Sequence, residues 1–315
     1  MSGSATSVGP EGKSSARRNF LERRAQPLPR RAQMVLTIVT LVVLVVASVW
    51  AWRSAHLSFS TIDWLPIVIA FVVAAPATLV LKMLEYDAAA RLIGSRAGPR
   101  RALEVAVISS AANLLPLPGS LIVTTRSLSE QGATYGSAAV ASSIPGLAWL
   151  GLAGVIGGVS IMIAGSWPVG LAVAVGGIAC LAVAGAMFRR TAPADGRPQL
   201  ALRIVLIETS WIGLSGFRLW LVLRAIGVVG TPAQVLALAV AGAMSVAIGF
   251  FPGGLGAREA LIALLSPIIK LPLSEGVVLG VIDRVVWITF LSLAALVLVA
   301  TRARAGDPST TPSTP

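Results

Sequence analysis

Apolar residues in this chain run in unbroken blocks and do not alternate with polar ones. A helix needs about 20 consecutive apolar residues to cross a bilayer, and blocks near that length fall at 34–52, 62–81, 135–164, 169–188, 204–223 and 276–300. The block 135–164 is longer than a span needs and holds Pro145, so a tilted or kinked helix is expected there. Two further stretches are built differently. Residues 102–115 are too short to span, since about 14 residues make roughly 21 Å of helix. They run into Pro116-Leu117-Pro118-Gly119. Residues 234–251 run into Pro252-Gly253-Gly254-Leu255-Gly256, and 257–269 leave it. The flanks 1–33 and 301–315 are rich in Ser, Pro and Arg or Thr and lack a periodic apolar face. Both are read as disordered tails.

Composition agrees with this pattern. Of 315 residues, 56% are hydrophobic and 12% charged, with a mean hydropathy of +0.84. A soluble domain carries about 25% charged residues, so this chain cannot build a polar surface of ordinary extent. An all-α polytopic membrane protein is the expected class. Cys180 is the single cysteine and His56 the single histidine. These counts exclude an intramolecular disulfide, and they argue against a histidine metal site and Ser-His-Asp chemistry. No catalytic residue, metal or other cofactor is expected.

The net charge of +12 suggests nucleic acid as a partner, but the placement of the basic residues points elsewhere. Seven precede residue 34, five lie in 82–101, four in 189–203, and two are Arg302 and Arg304. The positive-inside rule sets these four segments in the cytoplasm. The reading is a plasma-membrane protein with both termini cytoplasmic and no nucleic-acid partner. From Arg101 to Arg189 the chain must then cross an even number of times. The spans 135–164 and 169–188 supply two crossings, so 102–130 must return to its own side as a re-entrant hairpin. The same parity returns 234–269 to the outside, as a hairpin or as two short full spans. The expected fold is about six full spans plus two hairpins, with eight spans as the alternative. If both are hairpins, the halves 62–165 and 204–300 form an inverted repeat. Leu128-Ser129-Glu130 and Leu273-Ser274-Glu275 echo each other at matching places.

Backbone that leaves the helical ladder at membrane depth is tolerated only where protein buries it or a wet cavity meets it. The two Pro-Gly stretches are therefore candidate sites. Residues 252–256 end one helix and let another begin with free N–H groups, which favour an anion. Arg258 and Glu259 fall in the first turn of that new helix. Broken helices paired between inverted halves point to a transporter's central site. Intramembrane charges are costly and mark function, which adds Glu208, Arg218, Asp283 and Arg284. Glu208 and Arg218 are ten residues apart, about 80° around one helix. Glu208 is expected to pair with Arg284 and Asp283 with Arg218, as interhelical ties or as the lining of a headgroup groove. Arg224 and Lys270 are expected to reach outward to the membrane surface.

The stretch Gly249-Phe250-Phe251-Pro252-Gly253-Gly254-Leu255-Gly256-Ala257-Arg258-Glu259-Ala260 resembles the Pro-Gly-Gly-x-Gly-x-x-Glu signature of the lysylphosphatidylglycerol synthase transmembrane (flippase-like) family. Asn113-Leu114-Leu115-Pro116-Leu117-Pro118-Gly119 resembles that family's earlier Asn-x-x-x-Pro element. The family usually follows this element with a Gly-acidic pair and an arginine three residues on. Here Ser120 follows Gly119, and the nearest arginine is Arg126. The resemblance implies a helical membrane protein that binds and moves an anionic lipid or a polyprenyl-phosphate-linked sugar. The substrate-binding set it suggests, taken with the intramembrane charges, is Asn113, Pro116, Gly119, Arg126, Glu208, Arg218, Pro252, Gly253, Gly254, Gly256, Arg258, Glu259, Asp283 and Arg284. Glu208, Glu259 and Asp283 are the candidate proton carriers. Fused family members add a cytosolic aminoacyl-transfer domain, and neither tail here is read as one, so lipid lysylation is not expected. The alternative is a non-transporting partner of an envelope glycosyltransferase or lipid-modifying enzyme.

Overall fold

The computed structural model describes Arg53 and residues 60–113, 119–248 and 257–305. Its elements are helices: α1 (Trp64–Leu92), α2 (Pro99–Ala112), α3 (Gly119–Ser129), α4 (Tyr135–Ala164), α5 (Trp167–Thr191), α6 (Arg197–Ala225), α7 (Pro232–Ile248), α8 (Ala257–Ile268) and α9 (Leu273–Ala305). Five of them, α1, α4, α5, α6 and α9, are long and apolar enough to cross a membrane. They coincide with five of the six expected spans. The sixth, 34–52, lies outside the described residues, as do the tails 1–33 and 306–315. Large apolar side chains such as Leu65, Val72, Ile163, Val175 and Leu296 are exposed around these helices. Water would disfavour so much exposed apolar surface and lipid would not, which is compatible with an integral membrane protein.

Helix boundaries differ from the sequence reading, as at the start of α6, which begins at Arg197 and not at 204. The first long helix does not end near residue 81 but continues to Leu92, because residues 82–92 hold no glycine or proline before Gly94. Lys82 and Glu85, past the expected end of the span at 81, are therefore helical. At the other end α9 runs on through Thr301–Ala305, residues assigned above to a disordered tail. No helix breaker stands before Gly306 and Pro308.

Within α1 the ladder widens to a π-turn at Ala70–Ala74, just before Pro76. A proline lacks its N–H and crowds the carbonyl four residues back, so the preceding turn opens. By contrast α4 continues through Pro145. Upstream of it, Ser142 and Ser143 donate their hydroxyls to the Ala138 and Ala139 carbonyls at 2.7 and 2.8 Å.

Short helices pair into hairpins. At the base of the first, Arg101 of α2 donates to the Ser127 carbonyl of α3 at 3.0 Å and meets Glu130 at 3.1 Å. At its tip, Gly119 lies so close to Ala112 that a side chain there would strike backbone. This base stands at the end of the bundle that holds Asp87, which bonds Arg91 and Arg203, each at 2.8 Å. At the base of the second hairpin, α7 and α8, Gln234 donates to the Ile269 carbonyl at 2.8 Å. That base sits at the other end, where the Asp63 amide donates to the Ala225 carbonyl and Lys270 packs on Gly165. The Leu-Ser-Glu echo does not fold alike: Leu128 and Ser129 end α3, whereas Leu273–Glu275 open α9.

The most intimate contact is between α4 and α5. A Cβ added at Gly154 would stand 2.7 Å from the Gly177 Cα, and one at Gly158 would stand 2.6 Å from the Gly170 carbonyl oxygen. Small residues let helix backbones touch in a medium where burial of apolar area gives no drive. On a neighbouring face of α4, Gly157 receives Val240 of α7, which ties the second hairpin to this pair.

Candidate functional site

Three charged side chains, Arg218, Arg258 and Asp283, come together where α6, α8 and α9 meet. α6 turns one face inward along its length, so Arg218 is only 5% exposed. Asp283 of α9, at 0% exposure, accepts from it through both carboxylate oxygens: Arg218 Nε bonds Oδ1 and Nη2 bonds Oδ2 at 3.2 Å. Arg258, in the first turn of α8, brings Nη2 to 2.6 Å from Asp283 Oδ2. A two-pronged guanidinium–carboxylate contact is among the strongest protein hydrogen-bond geometries. The expected Asp283–Arg218 pair is therefore present, and Arg258 joins it as a third member.

Trp287 completes the clasp. It stands four residues after Asp283, hence on the same face of α9, and its ring lies 5.5 Å from the Arg218 guanidinium carbon. Arg258 reaches the site past Gly242 of α7, where an added Cβ would stand 3.6 Å from its Nε. That Nε is buried and has no hydrogen-bond partner. Among Arg218, Arg258 and Asp283 the charges leave one positive unit unbalanced. In a low-dielectric interior this surplus and the spare N–H favour an anion.

Other expected site residues lie apart. Glu208 does not pair with Arg284. It sits ten residues before Arg218, roughly 15 Å along α6, whereas Arg284 adjoins Asp283 at the level of Arg218. Glu208 is 1% exposed and faces Lys82 and Glu85 of α1 instead. Arg284 is half-buried on α9. Asn113 follows α2 as its C-cap residue, and its Oδ1 accepts the Ser120 amide of α3 at 2.9 Å, which satisfies one free N–H of that helix's first turn. Gly119 starts α3 and packs on Ala112. Arg126 is exposed at the base of its hairpin, 3.3 Å from Glu130, far along α3 from the tip. Arg224 lies over the Trp220 ring and is exposed, as is Lys270. Pro116, Pro252, Gly253, Gly254 and Gly256 lie outside the described residues; Glu259 is placed in α8 by its backbone.

Sequence reasoning missed Trp287, Gly242, Lys82 and Glu85. The i,i+4 spacing of Asp283 and Trp287 was a usable signal, as was the i,i+3 spacing of Lys82 and Glu85. Gly242 had none, because only the approach of α8 gives it a role. In comparison with known proteins, no family model and no curated sequence matches the chain. What the site does is therefore read from its geometry.

Proposed function

We propose that this protein binds the phosphate-bearing headgroup of an anionic lipid or polyprenyl-linked sugar at Arg218 and Arg258 and moves it across the membrane. The observation that carries the reading is the Arg218–Asp283–Arg258 cluster. It is buried, holds a surplus positive charge, and lies where a broken-helix hairpin meets two long apolar helices. Asp283 holds the two guanidinium groups in place, and the spare Arg258 donor is left for the ligand. The mechanism needs no covalent step: the headgroup exchanges water for fixed donors, and rocking of the halves alternates access. The resemblance to flippase-like membrane proteins agrees with this function and with re-entry of α2–α3 and α7–α8 from opposite sides.

Transbilayer movement of labelled anionic lipid in proteoliposomes tests the site. Arg258→Ala is expected to slow movement at least tenfold while the protein stays folded, because Arg218 still engages both oxygens of Asp283. Equal rates would remove Arg258 from the mechanism. A wild-type protein that moves no lipid and co-purifies with a glycosyltransferase would belong to the scaffold class.

Accessibility tests the topology. In a Cys180→Ser background, Tyr135→Cys at the start of α4 is expected to react with an impermeant thiol reagent from the cytoplasmic side. Val229→Cys, before α7, is expected to react from the other side. Reaction of both from one side would overturn the inverted arrangement.

A further inference from the structure

Asp283 and Glu208 are both buried carboxyl groups on facing elements, but their surroundings differ. Asp283 is held by two guanidinium groups, which leaves no oxygen for a proton. Glu208 Oε1 is buried and has no hydrogen-bond partner. An ionised carboxylate left this way is costly, and a bound proton removes the cost.

The charges that face Glu208 come from α1. Lys82 donates to both Glu85 oxygens, at 2.8 and 2.9 Å, and the two side chains are 15% and 16% exposed. Both are thus partly open to the surroundings, whereas Glu208 is 1% exposed. α6 also packs against α4, α7 and α9. Neither α4 nor α7 contains Asp, Glu, Lys, Arg or His, and Tyr135 is exposed at the start of α4. The buried charges of α9 adjoin Arg218, roughly 15 Å away along α6. The remaining wall is aromatic: Lys82 Nζ is 5.2 Å above the Trp211 ring, and Trp211 packs on Trp149 at 6.4 Å. The oxygens here are those of Glu208 and Glu85, and Lys82 already neutralises Glu85. No group of three or more metal-ligating side chains occurs among the described residues, so the ligands are too few for a metal cation. The chemistry fits a proton.

We propose that Glu208 is a proton-exchange site that reaches the cytoplasmic solution through the Lys82–Glu85 pair, and that its protonation is coupled to anion binding at Arg218 and Arg258 on the same bundle. A proton from water adds to a Glu208 oxygen, and the carboxylate becomes a neutral acid; release returns the proton to water. With Lys82 and Glu85 as an ion pair, the three groups total zero when Glu208 is protonated and minus one when it is not. The coupling rests on the lipid-moving reading above, but the proton site can be measured without it.

Infrared difference spectra of the full-length protein in nanodiscs, recorded as pH is varied, read the site directly. A carboxylic-acid carbonyl band that rises and falls with pH is expected in the wild type and is expected to be missing in Glu208→Gln. A pH-dependent band that survives unchanged in Glu208→Gln, or the lack of any such band in the wild type, overturns the proton site. Coupling is read in proteoliposomes. A pH gradient is expected to change the rate of anionic-lipid movement several-fold in wild type and to have no effect on Glu208→Gln. Movement of wild type that ignores the gradient overturns the coupling. If wild type moves no lipid under any gradient, the transport reading and the coupling both fall, and the infrared result still decides the proton site.

Discussion

Asp283→Ala should be the most damaging single substitution among the described buried polar residues. It leaves the Arg218 and Arg258 guanidinium groups facing each other in the interior without their shared carboxylate. Breaking a buried ion pair from one side costs about 3–5 kcal/mol, chiefly through the stranded charge. Here two charges are stranded, so the upper part of that range is expected, read as loss of the folded fraction in a denaturant titration in mild detergent. Removing a stranded cation as well should restore stability. Asp283→Ala combined with Arg218→Met is expected to be more stable than Asp283→Ala alone, although it breaks more contacts. A double variant that is less stable than the single one would mean that packing, not charge, sets the cost. Arg258→Ala is expected to be the mildest of these variants, because it leaves the two-pronged Arg218–Asp283 contact intact.

Adjacent glycines on α5 should behave in opposite ways. Gly177→Ala puts a methyl group 2.6 Å from the Val155 amide nitrogen and 2.7 Å from the Gly151 carbonyl oxygen. Both are backbone atoms, so relief requires α4 and α5 to separate. Overpacking typically costs about 1–3 kcal/mol, and rigid neighbours place this case at the high end. At Gly176 an added Cβ meets nothing within 4 Å. Gly176→Ala is therefore expected to be neutral or to stabilise by up to about 1 kcal/mol through helix propensity. Thermal unfolding of the two variants in the same detergent makes the comparison. Equal stability would show that α4 and α5 do not hold this contact in the membrane. The prediction also bears on the site, since Gly157 of the partner helix α4 seats α7, and α7 carries Gly242 against Arg258.

The long elements were legible because each signal was local. An apolar block bounded by charge or proline defines its own helix, and 135–164 matches α4 at both ends. Boundaries failed where the stop was inferred from polarity and not from a breaker. Lys82 and Glu85 lie past the expected end at 81, yet polar residues with good helix propensity continue a helix until Gly94. The Asp283–Arg218 pair was legible from scarcity, since few charges fall within apolar blocks. The Glu208–Arg284 pair failed on register: the Arg218–Asp283 contact sets Arg284 at the depth of Arg218, about 15 Å along α6 from Glu208. Asn113 was read as a ligand group because of its motif. Its place at the end of α2 brings the side chain to the first turn of α3, where it accepts the Ser120 amide.

By itself the sequence determined that the described segments are helical and that five of them are long and apolar enough to cross a membrane, because hydropathy and helix breakers act within single segments. It also determined which side chains are too costly to bury without purpose. Only the tertiary structure decided what those side chains meet. The depth at which α6, α8 and α9 cross places two arginines on one aspartate, and the same geometry leaves Glu208 beside Lys82 and Glu85 with an oxygen unmet. Pairing depends on register and crossing between elements far apart in the chain, and no local pattern encodes either.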